Sequence, residues 1–205
     1  MELRRTAISV FTSVFLLVGA ADASEDPPST VIGHFHEALI GVMKESQQLS
    51  YQQRFDRLAP AVTSTYDLEF MASKAVGSHW GQLGTEGQQR WLGAFQRFTI
   101  ANYAGRFDGF SGQSFETLGE EPGANETSVV RTVLHNPSST DVQLNYRMRR
   151  TPAGWRVIDV YLNGSVSELA LRRAEYTAAF DRNGLDEVLA TLESKIDDLS
   201  ADAGN

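Results

Sequence analysis

The residues able to do chemistry are few and scattered. Four histidines occur in the 205 residues. His34 and His36 stand two apart in a helical pattern, about 200° around the helix, so they cannot share a metal. His79 and His135 have no acidic or histidine neighbour in sequence. Cysteine is absent, which excludes thiol nucleophiles and cysteine-ligated metals. No glycine-rich phosphate loop, serine nucleophile elbow or zinc-protease helix motif occurs. The expectation is no metal, no cofactor and no catalytic residue.

Asp159 is the one carboxylate inside an apolar strand. An aspartate in a greasy pocket could serve as a general base. The alternative is a structural acceptor, paired to an arginine or to backbone amides where the sheet meets the last helices, with Arg173 as the candidate partner. A single base without visible oxyanion donors makes no enzyme, so the structural role is preferred. The aromatics are the other signal: Phe95, Phe98, Tyr103, Phe107, Phe110, Tyr146, Trp155, Tyr161, Tyr176 and Phe180. They form either a solid core or a core with a hollow between sheet and helices, able to take a lipid.

These residues need elements to position them. Pro27-Pro28-Ser29 opens a helix running to about Leu49, with Val31, Phe35, Leu39 and Val42 at helical spacing. A second begins near Ser50 and meets Pro60, a point of interruption. Asp67 is placed to cap a short helix over Leu68 to Val76, and Gly77 ends it. Thr85-Glu-Gly-Gln88 fits a capping box for the longest helix, Glu86 to Phe107. The period then changes from about 3.6 to 2. Strands are expected over Ser114–Glu120, Glu126–His135, Thr140–Arg150 and Trp155–Leu162, joined by turns short enough to make them antiparallel neighbours. Asn125-Glu-Thr127 and Asn163-Gly-Ser165 fit the glycosylation pattern and are read as turns. A helix from Ser165 or Ser167 to about Arg182 follows, then a stop at Asn183-Gly184 and a last helix, Asp186 to Leu199. The fold class is α+β: a four-stranded antiparallel sheet packed against N-terminal and C-terminal helices, enclosing an apolar pocket.

The ends set the context. Arg4 and Arg5 precede an apolar stretch, Thr6 to Val18, too short for the roughly 20 residues of a membrane span. Ala21-Asp22-Ala23 is a small-x-small site, so residues 1–23 read as a cleavable secretory signal and 24–205 as one domain. An uncleaved anchor is the alternative. The net charge of −8 makes a poor nucleic-acid binder.

The motifs Gly154-Trp155-Arg-Val-Ile-Asp159-Val, Gly164-Ser-Val-Ser167, Arg173, Tyr176 and Asn183-Gly184-Leu-Asp186 resemble the MlaC family, the toluene-tolerance family of periplasmic lipid carriers. Phe70-Met-Ala-Ser-Lys-Ala-Val-Gly-Ser-His-Trp80, Gln88-Gln-Arg-Trp-Leu-Gly-Ala-Phe95 and Tyr103 extend the likeness over the whole mature chain. Tyr103-Ala-Gly-Arg-Phe-Asp-Gly-Phe-Ser-Gly112 is most similar to the hopanoid-associated HpnM group. One departure is Leu171-Arg172-Arg173, where the family often has Asn-Tyr-Arg; only the arginine carries over. The resemblance implies a monomeric, non-catalytic periplasmic carrier of phospholipid or hopanoid. Its implied partners are an inner-membrane ABC transporter/MCE-type complex and an outer-membrane lipoprotein complex. Burying a methylene is worth about 0.8 kcal/mol, so a 16-carbon tail bare in water costs roughly 12 kcal/mol. Two such tails fill about 800 Å³, within the usual pocket range. Phe98, Tyr103, Val133, Leu144, Tyr146 and Val157 are the expected wall residues.

Overall fold

The structure is a computed structural model and describes residues 26–202. The expected signal sequence, residues 1–23, lies outside the described residues.

Helix α1 (Pro28–Glu45) starts with proline at its first position, where a missing N–H costs nothing. It buries Ile32, Phe35, His36, Leu39, Val42 and Met43 along one stripe. A 3-10 turn, Ser46–Gln48, leads to α2 (Tyr51–Thr65). Ser50 caps α2 with a full box: its Oγ accepts from Gln53 N at 3.2 Å, and its N–H donates to Gln53 Oε1 at 2.8 Å. The helix runs on through Pro60 without a break. Arg54, buried, ties α2 onward by donating to Ala104 O at 3.0 Å and to Leu49 O at 2.9 Å. Asp67 caps α3 (Leu68–Ala75), accepting from Phe70 N at 3.1 Å. A 3-10 turn, Gly77–Gly81, precedes α4 (Thr85–Arg106).

The capping box expected at Thr85–Gln88 does not form. Thr85 already occupies the first helical position, behind a Gly84 cap, and so stands one residue too far along. Gln88 donates instead to Trp80 O at 2.9 Å.

The sheet is an antiparallel meander with five strands, not four: β1 (Ser114–Pro122), β2 (Thr127–His135), β3 (Val142–Thr151), β4 (Gly154–Leu162) and β5 (Val166–Ser167), in that order. The fifth strand arises because Asn163-Gly164 is a hairpin turn and not only a stop. Asn163 has φ 50° and Gly164 φ 79°, the sign pattern of a type I′ turn, which Asn-Gly favours. A side chain at Gly164 would meet Gln143 Oε1 at 2.9 Å, a flexible side-chain end that can move aside, so it is the positive φ and not space that favours glycine here. Chain reversal lets Val166 and Ser167 pair with Leu162 and Tyr161.

A bulge in β4 decides which side chains meet the helices. Arg147 pairs with Asp159 but Met148 pairs with Val157, so Ile158 is the extra residue. Paired residues share a face. Val157, Val160 and Leu162 therefore stand with Met148, Tyr146 and Leu144, while Asp159 and Tyr161 face the other way. The chain ends in α5 (Glu168–Asp202), broken at Gly184 with φ 72° and ψ −174°. The two segments on either side are the two helices expected from Asn183-Gly184. The core gathers Phe35, Leu39, Leu58, Trp91, Tyr146 and Val157, all essentially without exposure.

Candidate functional site

A cavity of about 740 Å³ opens between the sheet and helices α4 and α5. Its apolar walls include Phe95 and Phe98 from α4, Leu144 from β3, Val160 and Leu162 from β4, and Leu169 from α5. The segment 107–113, between α4 and β1, contributes Phe107, Phe110 and Gln113. Polar groups line it too: Arg106, Asp108, Glu168 and Arg172 among them. Arg172 lays its guanidinium over the Phe98 ring at 4.9 Å and stands 3.9 Å from Glu168 and 3.6 Å from Glu175. A cation on an aromatic face keeps its charge while covering apolar surface.

Two tyrosines border the cavity as a pair. Tyr66 and Tyr103 join hydroxyl to hydroxyl. Phe35 grips both rings edge-on, at 5.5 and 5.1 Å between centroids. Burial pushes Tyr103 up to about 12 and Tyr66 well above the ordinary phenol range. Behind them Tyr146 meets His36, with the hydroxyl 3.0 Å from Nε2. Burial drives His36 down to about 3, so its ring is neutral, and it stacks on Phe115 at 3.7 Å.

Of the six wall residues expected from the sequence, Phe98, Tyr103 and Leu144 border the cavity. Val133, Tyr146 and Val157 do not. Val133 pairs with Gln143, which puts it on the face opposite Leu144. Tyr146 shares the face of Leu144 but is taken up by His36 and the core. Val157 is sealed where the α2–α3 joint docks: Asp67 N donates to Val157 O at 2.9 Å. Sequence reasoning missed Val160 and Leu162, because the β4 bulge is invisible to a period-2 reading; of the α5 residues at the cavity it named Tyr176 among the aromatics but not Leu169 or Arg172. The 107–113 segment carries a visible signal: Phe107 and Phe110 belong to the aromatic set expected to form a core or line a hollow, and both border the cavity.

Asp159 does not border the cavity. Its Oδ1 accepts from Val160 N at 2.8 Å and Leu169 N at 3.0 Å, and its Oδ2 from Ser167 Oγ at 2.6 Å. Ser167 Oγ in turn accepts from Ala170 N at 2.9 Å. The carboxylate thus closes the positive end of α5. The expected partner Arg173 is elsewhere, against Gly77. Amides and a hydroxyl, not an arginine, satisfy Asp159. His79 meets Asp181 at 3.0 Å, and exposed His135 lies between Glu116 and Asp141, whose hydrogen bonds raise its pKa. Each ring nitrogen of His135 faces a different carboxylate. Among the described residues no grouping of histidine and acids has the makings of a metal site.

Fold and cavity define a class: an α+β domain with a meander sheet, helices over one face, and a largely apolar hollow between them. Residues 34–194 match the model of the family described as MlaC protein, and the chain belongs to that family. Similar in fold is a solved structure from Ralstonia solanacearum, described as a phospholipid-binding protein in complex with a phospholipid. The TM-score is 0.74 at 20% identity, over 85% of this chain and 99% of that one. No curated protein matches the sequence.

Proposed function

We propose that this chain is a non-catalytic periplasmic lipid carrier that takes acyl tails into the cavity and leaves the headgroup at its mouth. The observation that carries this reading is the cavity of about 740 Å³ with its walls of Phe98, Leu144, Val160 and Leu162. Two 16-carbon tails need about 800 Å³, so the hollow suits the tails of one diacyl lipid and has no room left for a head. The Ralstonia solanacearum neighbour, described as phospholipid-bound, supports the same use of the same fold.

Export by a cleaved signal in residues 1–23 and folding of 24–205 as a monomer complete the proposal. The carrier exchanges phospholipid or hopanoid between an inner-membrane ABC transporter/MCE-type complex and an outer-membrane lipoprotein complex. Asp159 as a general base is disfavoured, since its oxygens are occupied by three donors away from the cavity. The test is transfer of labelled phospholipid between donor and acceptor vesicles. The carrier should raise the transfer rate in proportion to its concentration. A rate equal to that without protein would refute carriage.

A further inference from the structure

We infer that the Tyr66–Tyr103 pair offers one unspent O–H to the cavity and binds a neutral acceptor oxygen that the lipid carries below its headgroup. The inference rests on the lipid-binding reading above and adds what the ligand must contain.

Each phenol has one donor and can accept. The bond between the two hydroxyls spends one proton of two. Neither hydroxyl has any other hydrogen bond among the described residues. The Tyr146 hydroxyl, 3.0 Å from His36 Nε2, makes no hydrogen bond to either of them. One donor therefore remains over, whichever tyrosine gives the first. Both phenols keep their protons at neutral pH, because burial raises them.

The pair cannot easily turn away. Tyr66 sits at the α2–α3 joint, bridged to Val157 of β4. Tyr103 stacks on Phe107 at 5.7 Å and meets Phe35 edge-on. An unmet donor in an apolar hollow is costly, so a ligand or a water must take it. The same wall of α4 continues this chemistry. Thr99, Asn102, Tyr103 and Arg106 all border the cavity at helical spacing. Asn102 uses one amide proton on Phe98 O at 2.8 Å and keeps the other to donate. A polar seam thus runs along an otherwise apolar wall to exposed Arg106. A plain hydrocarbon tail leaves that seam unmet. A lipid with an oxygen at this level, either the ester carbonyl of an acyl chain or the hydroxyl of a polycyclic alcohol, satisfies it.

The test is displacement of a bound fluorescent acyl probe by two matched pairs of competitors. The first pair is dioleoyl phosphatidylglycerol and its diether analogue, which lacks the carbonyls. The second is cholesterol and cholestane. The wild-type protein should prefer the oxygen-bearing member of a pair by about threefold to tenfold. Preference in the first pair assigns the ester, and preference in the second alone assigns the ring alcohol. Tyr66→Phe and Tyr103→Phe singly should each keep a preference, because each leaves one hydroxyl with its proton unspent. The double variant should lose it. Removing both partners without changing shape is nearly neutral for stability, which thermal unfolding checks. A double variant that discriminates like wild type, or a wild type with no preference in either pair, overturns the inference while lipid binding stands. A wild type from which no competitor displaces the probe sinks the lipid reading and this inference together.

Discussion

Replacing Asp159 separates a structural carboxylate from a catalytic one, and the two changes Asp159→Asn and Asp159→Ala should differ. In the native chain Oδ1 holds the Val160 and Leu169 amides and Oδ2 holds the Ser167 hydroxyl. Asparagine can keep this geometry. Its carbonyl serves the two amides, and its NH₂ donates to Ser167 Oγ, which has a second lone pair beside the one used by Ala170 N. The charge is lost, both from the hydrogen bonds and from the α5 terminus, and the Ser167 O–H must turn to another acceptor, together about 1 kcal/mol. Alanine leaves the donors with no acceptor at a site only 7% exposed. The cost there is about 3 kcal/mol. For a chain of this size that lowers Tm by about 6–12 °C, against about 2–4 °C for asparagine. Circular dichroism melts give the values, and lipid extracted from the folded variants gives the function. Both variants should bind lipid as wild type does below their melting range. An alanine variant as stable as wild type, or an asparagine variant as unstable as alanine, would refute the capping account. Turnover of a lipid that asparagine abolishes in a stable protein would restore the enzyme reading.

Three further outcomes follow from the same geometry. Leu144→Trp should fill part of the cavity, cutting bound lipid at least about fivefold while changing stability by less than about 1 kcal/mol, because the indole enters open space and not a filled core; lipid extraction and urea melts check both halves. Gly184→Ala should destabilise by about 1–3 kcal/mol through backbone strain alone, since its φ and ψ belong to glycine and nothing lies within 4 Å of the added carbon. His36 should give a pH slope: it is held near 3 in the fold and returns to about 6.5 when unfolded. The unfolded chain then binds the extra proton, so this contribution is whole above pH 6.5 and falls as pH drops toward 3, by at most about 1.4 kcal/mol per unit. Urea midpoints from pH 7 to pH 4 should show the loss, and His36→Gln should flatten it.

Much of the architecture was legible because local rules and tertiary context agree. Asp67 caps α3 as its position before an apolar run suggests, and the two turns flanking β2 and β3 place those strands within two residues of their expected bounds. Gly184 breaks the last helix where Asn183-Gly184 signals a stop. What stayed hidden depends on register. One extra residue at Ile158 inverts the faces of β4, which no alternation within the strand announces. Val133 and Leu134 are equally apolar, and only pairing with β3 shows that Leu134 borders the cavity while Val133 faces away. The cap of α4 failed for a comparable reason: Thr85 has the right type, but the helix begins one residue earlier than its box requires. For Asp159 the sequence offers two structural partners, an arginine or the backbone amides where the sheet meets the last helices; the amides are the ones present, and Arg173 is not.

The central claim is that the cavity holds a lipid. Native mass spectrometry of protein purified from a lipid-containing periplasm tests it most directly. The expected result is one lipid per chain, identified by fragmentation, and at least about fivefold less of it in Leu144→Trp. A chain that arrives empty, and takes up neither phospholipid nor hopanoid on incubation, would contradict it.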